Sequence, residues 1–276
     1  MPELPEVEVV RRGLEALAGK KQIKEVWVLT PGVVGHPSVE KFIALLRQKQ
    51  IISFDRHGKY LFVYLNNYKL IIHLRMTGVL TCEDHPLSLK SQHMRMVILL
   101  QDDETICFYD QRKFGKVWLL QPGEEDYAGI NRLGPDWLNE ANWELFKERL
   151  QSRKRSRIKN LLLDQSFMAG LGNIYTDESL YRAGIHPLMK TGELSDIQLY
   201  NLYHAIIQTL KEGIEQGGTS FSNYLNTSGE EGGYQNSLAV YRRKGQSCQY
   251  CGSIIQKIII GGRGTHFCPD CQAGDG

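Results

Sequence analysis

Apolar residues recur at helical spacing from the start of the chain. Val7, Val10, Leu14 and Leu17 line one face of a segment that predicts an amphipathic helix over 3–18. Pro5 falls in its first turn, where a missing N–H costs nothing, and Glu3, Glu6 and Glu8 suit the positive helix end. The period then changes. Segments 23–29, 51–54, 60–65, 69–76, 95–100, 104–109 and 115–120 are rich in Ile, Val, Phe and Tyr, and Asn66-Asn67 and Asp102-Asp103 supply hairpin turns. Short strands in this number, with flanking helices, predict a β-sandwich. Helical patterns return at 139–150, 155–165, 173–183 and 194–215. The stretch from Gly217 to Gly233 is rich in Gly, Ser and Asn. It reads as too polar to pack and too long for a routine connection, the profile of a lid or binding loop.

A chain of 276 residues allows about two domains at roughly 100–200 residues each. The net charge of +2 means that any footprint for a polyanion must be local. No stretch reaches the roughly 18 uncharged apolar residues of a membrane span, and MPELPEVEVV is no signal peptide, so a cytoplasmic location is expected.

Cysteine usage sharpens the picture. Cys248-x2-Cys251 and Cys268-x2-Cys271 are separated by sixteen residues, the spacing of a structural zinc site in which each pair spans one edge of a tetrahedron. Isoleucines between the pairs predict a hairpin, with Gly261, Gly262 and Gly264 at its turn. Four thiolates leave no open coordination position, so such a zinc folds the module and does not catalyse. Cys82 and Cys107 stand apart, and buried structural thiols are their default.

The segment Arg153-Lys154-Arg155-Ser156-Arg157-Ile158-Lys159 packs five cations into seven residues. Alone, it is equally the polar face of a helix. Gly170-Leu171-Gly172-Asn173 follows, with Asn173 expected as the N-cap of the next helix. A glycine-rich turn entering a helix aims backbone N–H groups outward, a ready phosphate site. Arg263, at the expected hairpin tip, can reach a phosphate, although an exposed arginine is more often a solvated charge. Arg242-Arg243-Lys244 adds further charge. Together these groups suit a grip on a nucleic-acid backbone, which positions without reading sequence.

Pro2 follows the initiator methionine. Removal of that methionine would bare a secondary amine at a helix start, with a reference pKa of roughly 7.7–8.0. Attack of that amine on a sugar C1′ gives an obligately cationic iminium, which acidifies C2′–H and permits β-elimination, with Glu3 adjacent for acid–base help. Taken by itself, an MPE start is simply an N-terminus.

The chain as a whole resembles the formamidopyrimidine-DNA glycosylases. The matching pieces are PELPEVE at 2–8, HGKYL at 57–61, HLRMTG at 73–78, DQRKFG at 110–115, AGLGNIYTDESL at 169–180, LAVYRRKG at 238–245 and GRGTHFCPDCQ at 262–272. The resemblance implies an α+β chain in three segments. These are an N-terminal catalytic β-sandwich flanked by helices (1–132), a helix–two-turn–helix DNA-binding domain with a lesion-capping loop at 217–235 (133–236), and a C-terminal zinc finger (237–276). It implies double-stranded DNA containing oxidised guanine or abasic sites as partner, bound between domains by a monomer in a bacterial cytoplasm. The implied activity is excision of 8-oxoguanine and formamidopyrimidines followed by β,δ-elimination.

Carried over by residue, Pro2 is the Schiff-base nucleophile and Glu3 the proton donor. Lys59 serves β-elimination and phosphate binding, and Arg263 serves δ-elimination and phosphate binding. His93, Arg112, Lys154, Asn173 and Tyr241 match DNA-contact positions, and Met76, Arg112 and Phe114 match an intercalating set that fills the gap left by a flipped base. The zinc ligands are Cys248, Cys251, Cys268 and Cys271. Read without the family, Met76 ending a strand and Phe114 beside a glycine would be core, and Arg112 and Lys113 ordinary surface charges. Thr77 occupies a site that is acidic in some relatives. Two other readings stay open: an oxidised-pyrimidine glycosylase of the endonuclease VIII type, and a zinc-bearing DNA-binding protein without catalysis.

Overall fold

A computed structural model describes residues 1–83, 92–124, 126–221 and 224–273. Residues 222 and 223 of the expected capping loop and residues 274–276 of the tail lie outside the described residues. The chain forms two compact units, one of Met1–Asn131 with Ile214–Gln235 and one of Arg132–Gly213 with Asn236–Gly276.

The first unit opens with α1 (Leu4–Ala18). Its start is fixed by a capping box in which the Glu6 side chain accepts from Glu3 N at 2.7 Å. Leu4, Val7, Val10, Leu14 and Ala18 form its buried face. The strands and second helix follow as β1 (Ile23–Val28), β2 (Val34–His36), α2 (Val39–Leu46), β3 (Ile51–His57), β4 (Tyr60–Leu65), β5 (Tyr68–His73), β6 (Gly78–Glu83), β7 (Met94–Leu100), β8 (Thr105–Asp110) and β9 (Lys116–Leu120). They make a four-stranded antiparallel sheet, β1-β7-β8-β6, and a five-stranded sheet, β2-β9-β5-β4-β3, whose β2–β9 pair is parallel. One apolar cluster takes Leu14 from α1, Phe42 from α2, Leu61 and Ile72 from one sheet and Met96 and Phe108 from the other, which is the core of a sandwich.

Two strands depart from the expected pattern. The segment 69–76 does not stay extended: β5 ends at His73, and the chain turns through Leu74–Thr77 into β6. Met76 therefore sits on a turn and does not end a strand. The turn was hidden because its left-handed residue is Arg75 (φ +56°), not a glycine or asparagine. β2 has three residues, too few to show a period. The glycine-rich stretch also packs more than its polarity suggests, because its polar groups are paired. Thr219 N donates to Glu6 Oε1 at 2.8 Å, Ser220 Oγ donates to Tyr224 O at 2.8 Å, Cys82 N donates to Thr227 O at 2.7 Å, and Tyr224 joins the apolar core.

The second unit contains α3 (Trp143–Gln151), α4 (Ile158–Leu163), α5 (Asn173–Arg182), most of α6 (Asp196–Glu215), and the antiparallel hairpin β10 (Gln256–Ile260) and β11 (Arg263–Phe267). Asn142 caps α3 by accepting from Leu145 N at 2.9 Å, and Trp137 packs on Phe146 with ring centroids 5.3 Å apart. Gly261 and Gly262 hold the hairpin turn at φ +56° and +74°, a conformation that glycine adopts without penalty. Among the described residues no helix is long and apolar enough to cross a membrane.

One close approach makes a stability prediction. A Cβ at Gly13 would meet Thr227 Oγ1 at 1.9 Å. In a helix interior Gly→Ala ordinarily gains about 1 kcal/mol. Gly13→Ala is expected instead to cost about 1–3 kcal/mol through overpacking, measured by denaturant unfolding. Adding Thr227→Ala, which removes the obstructing hydroxyl, should recover most of that loss.

Candidate functional site

In the first unit, Pro2 is buried directly before Glu3, and Glu3 and Glu6 are 3% and 1% exposed. The Glu6 carboxylate ties the start of α1 to the loop beyond residue 214, with Oε2 on Glu3 N at 2.7 Å and Oε1 on Thr219 N at 2.8 Å. One turn along, Glu8 accepts from Arg11 and Arg12, and from Arg56 Nε at 3.3 Å. Burial pushes its carboxyl up, but the hydrogen bonds from Arg11 and Arg12 and the nearby charges carry it below the usual carboxylate range. Arg56 is 2% exposed and also donates to Gly58 O at 3.0 Å. Gly58 and Lys59 form the two-residue turn between β3 and β4, with Gly58 at φ +58°. Glu8 and Arg56 thus link the helix that begins beside Pro2 and Glu3 to the turn carrying Lys59. The sequence reading assigned Glu8 only to the helix dipole; arginines at its i+3 and i+4 positions were the available signal.

The β6–β8 ladder pairs Gly78 with Asp110, so the Leu74–Thr77 turn and the 111–115 loop emerge at the same end of one sheet. That end presents Met76 and Phe114, 42% and 49% exposed, with the Arg112 guanidinium 4.7 Å above the Phe114 ring. His93 is half-buried just before β7; its O accepts from Asp110 N at 2.8 Å, and its Nδ1 is buried with no hydrogen-bond partner among the described residues. A cavity of about 530 Å³ opens here, lined among others by Thr77, Val79, His93, Asp110 and Leu225. His73 supports the Met76 turn: its Nδ1 accepts from Arg75 N at 2.9 Å, and its ring stands edge-on to Tyr60. Burial, then the cations of Arg75 and Lys59, push its pKa down to about 3.

In the second unit, Arg153, Lys154, Arg155 and Arg157 are exposed, in a turn segment that precedes α4. The helix expected from 155 begins only at Ile158, and Lys159 is no part of a basic surface. It is fully buried, donating to Asp177 Oδ1 at 2.6 Å and to Thr265 Oγ1 at 2.7 Å. The other Asp177 oxygen accepts from His266 N at 2.8 Å, so one ion pair joins α4, α5 and β11. Asn173 is the first residue of α5 and not its N-cap, which is Gly172. Its Nδ2 donates to Gly264 O at 2.8 Å, beside exposed Arg263 at the start of β11. Glu178 accepts from the backbone N–H groups of Ala239, Val240 and Tyr241, and the Tyr241 ring lies edge-on to His266. Asn173, Arg263 and Tyr241 thus rest on a common buried frame. Lys159, Asp177 and Glu178 escaped the sequence reading because a buried lysine in a basic run looks like its exposed neighbours.

The four cysteines converge, with all Sγ atoms within 4.8 Å of one another. Cys248 and Cys271 are 3.7 Å apart, and Cys251 and Cys268 are 3.4 Å apart. A tetrahedral zinc with bonds of about 2.3 Å needs sulfur separations of about 3.8 Å, so these residues fit the metal. The site is a closed four-cysteine zinc site, and bound metal would pin both ends of the β10–β11 hairpin.

Two measurements follow. Lys159→Met leaves Asp177 buried without its cation and should cost about 3–5 kcal/mol in denaturant unfolding. For His73, the unfolded state binds a proton below about pH 6.5 that the folded state refuses until about pH 3. Stability should therefore fall as pH drops through that window. His73→Asn, which keeps an acceptor but does not titrate, should flatten the dependence between pH 7 and pH 4.

Comparison with known proteins covers almost the whole chain. Residues 1–117 match the family model for the formamidopyrimidine-DNA glycosylase N-terminal domain, 133–224 the formamidopyrimidine-DNA glycosylase H2TH domain, and 245–274 the zinc finger found in FPG and IleRS. A formamidopyrimidine-DNA glycosylase of Bacillus cereus is 42% identical over 277 residues, spanning 99% of each chain. The solved complex between the Lactococcus lactis Fpg and an abasic-site-containing DNA superposes with a TM-score of 0.89 at 35% identity, covering 99% of this chain and 100% of that one. The structure of MutM in complex with carbocyclic 8-oxo-G containing DNA gives the same TM-score and coverage at 36% identity. The chain belongs to the formamidopyrimidine-DNA glycosylase family.

Proposed function

We infer that this chain is a bifunctional glycosylase and abasic-site lyase that removes 8-oxoguanine and formamidopyrimidines from double-stranded DNA. The observation that carries this reading is the burial of Pro2, Glu3 and Glu6 at the capped start of α1, in a chain matched over nearly its full length by one repair family. Once Met1 is removed, the Pro2 amine attacks C1′ while Glu3 delivers a proton to the departing base, and the C1′–N bond to the base breaks. The C1′–O4′ bond then breaks, with O4′ taking up a proton as the sugar ring opens, and the resulting iminium is an electron sink. Loss of a C2′ proton, assisted by Lys59, then expels the 3′-phosphate, and a second elimination assisted by Arg263 expels the 5′-phosphate. Hydrolysis of the iminium returns the amine.

Residues 1–132 carry Pro2, Glu3 and Lys59, 133–236 the helix–two-turn–helix DNA grip with the loop at 217–235 reading the everted base, and 237–276 the zinc finger with Arg263. His93, Lys154, Asn173 and Tyr241 hold the DNA backbone, so affinity falls steeply with salt. Met76, Arg112 and Phe114 fill the gap left by the flipped nucleotide, with Arg112 facing the orphaned base. The protein works as a monomer in a reducing bacterial cytoplasm, where four thiolates stay available to zinc.

Borohydride trapping on duplexes carrying 8-oxoguanine opposite cytosine, beside duplexes carrying thymine glycol, tests the assignment. Wild type should form a covalent adduct and incise the 8-oxoguanine duplex at the higher rate, and Pro2→Gly should bind without trapping. Tight binding with no adduct would leave only a DNA-binding protein. Preference for thymine glycol would move the chain to oxidised pyrimidines.

A further inference from the structure

The Met76 turn and the Arg112–Phe114 loop come from different strand connections, yet both bear on one carboxylate. Asp110, the last residue of β8, is 1% exposed. Its Oδ2 accepts from Gly115 N at 2.6 Å, and its Oδ1 accepts from Arg112 N at 3.1 Å and from the Thr77 hydroxyl. The Thr77 oxygen in turn accepts from Arg112 N at 3.1 Å. One carboxylate therefore takes both ends of the 111–115 loop together with the residue next to Met76. Asp110 is itself held, with its O accepting from Arg95 Nε at 2.7 Å and its N donating to His93 O at 2.8 Å. A Cβ at Gly115 would meet Phe108 at 2.5 Å, so glycine is what lets that N–H reach the carboxylate. Arg75 and Lys113, neither of them glycine, hold left-handed backbone at φ +56° and +58° on the two arms, conformations that need outside support.

We propose that Asp110 is a positioning residue that, through Thr77, clasps the Met76 turn to the Arg112–Phe114 loop, so that the three gap-filling side chains enter the base stack as one unit. This rests on the gap-filling role assigned above to Met76, Arg112 and Phe114. Unstacking a base step costs free energy, and side chains on independently moving turns lose further entropy when they order in the gap. A charge-assisted hydrogen-bond node removes that second cost before DNA arrives.

The test uses abasic sites without a lesion base, so that contacts to a damaged base cannot contribute. One substrate is a duplex with the site opposite cytosine, and the other is the same oligonucleotide single-stranded, where no partner strand needs filling. Thr77→Val should lower β-elimination on the duplex by about tenfold and leave the single strand within about twofold, with Thr77→Ser restoring the duplex rate. Asp110→Asn, which replaces one acceptor oxygen with an NH2 donor facing these donors, should do the same more strongly. Met76→Ala and Arg112→Ala should combine less than additively in wild type and additively in Thr77→Val. Equal losses on both substrates, no loss on either, or additive effects already in wild type would overturn the clasp alone. If Met76→Ala and Arg112→Ala each leave duplex cleavage intact, the gap-filling assignment fails and the clasp falls with it.

Discussion

A carboxylate removed from water must find donors, and in this chain the donors belong to segments that carry candidate functional side chains. Glu6 bonds the backbone of Glu3 and Thr219, Glu8 bonds the arginine that holds the Lys59 turn, and Asp177 and Glu178 bond the backbone of β11 and of residues 239–241. Each fixes backbone directly or, for Glu8, through Arg56, and fixed backbone is what a catalyst needs to keep reacting groups within a fraction of an ångström. The apolar cores of the two units give the frame, while these acids set its fine geometry.

This division explains what the sequence made legible. The helix at the start, most strands and the zinc module follow from period and spacing, which are local properties. The motif pieces located Pro2, Glu3, Lys59, Asn173 and Arg263 because they are contiguous. What stayed hidden depends on pairing across distance. Lys159 lies eighteen positions from Asp177 and over a hundred from Thr265, and nothing within its own segment separates it from Arg155 or Arg157. The β5–β6 turn was missed for a related reason: its left-handed residue is an arginine, tolerated because His73 and Gly78 close the turn around it.

The glycine-rich segment shows the converse. Its composition suggests a stretch unable to bury itself, yet Thr219, Tyr224 and Thr227 are buried and bonded. Polarity excludes packing only when partners are lacking, and here α1 supplies them, down to a glycine at position 13 that leaves room for a threonine hydroxyl.

The buried contact of Lys159 with Asp177 also limits how such a sequence can drift over generations. Either side chain exchanged first would strand a bare charge in a dry interior, so an ancestor crossing that valley must change both positions nearly together or acquire a permissive substitution beforehand. The solvated Arg153, Arg155 and Arg157 just upstream face no such barrier and can trade arginine for lysine one at a time. Cations a few residues apart are thus expected to evolve at quite different tempos.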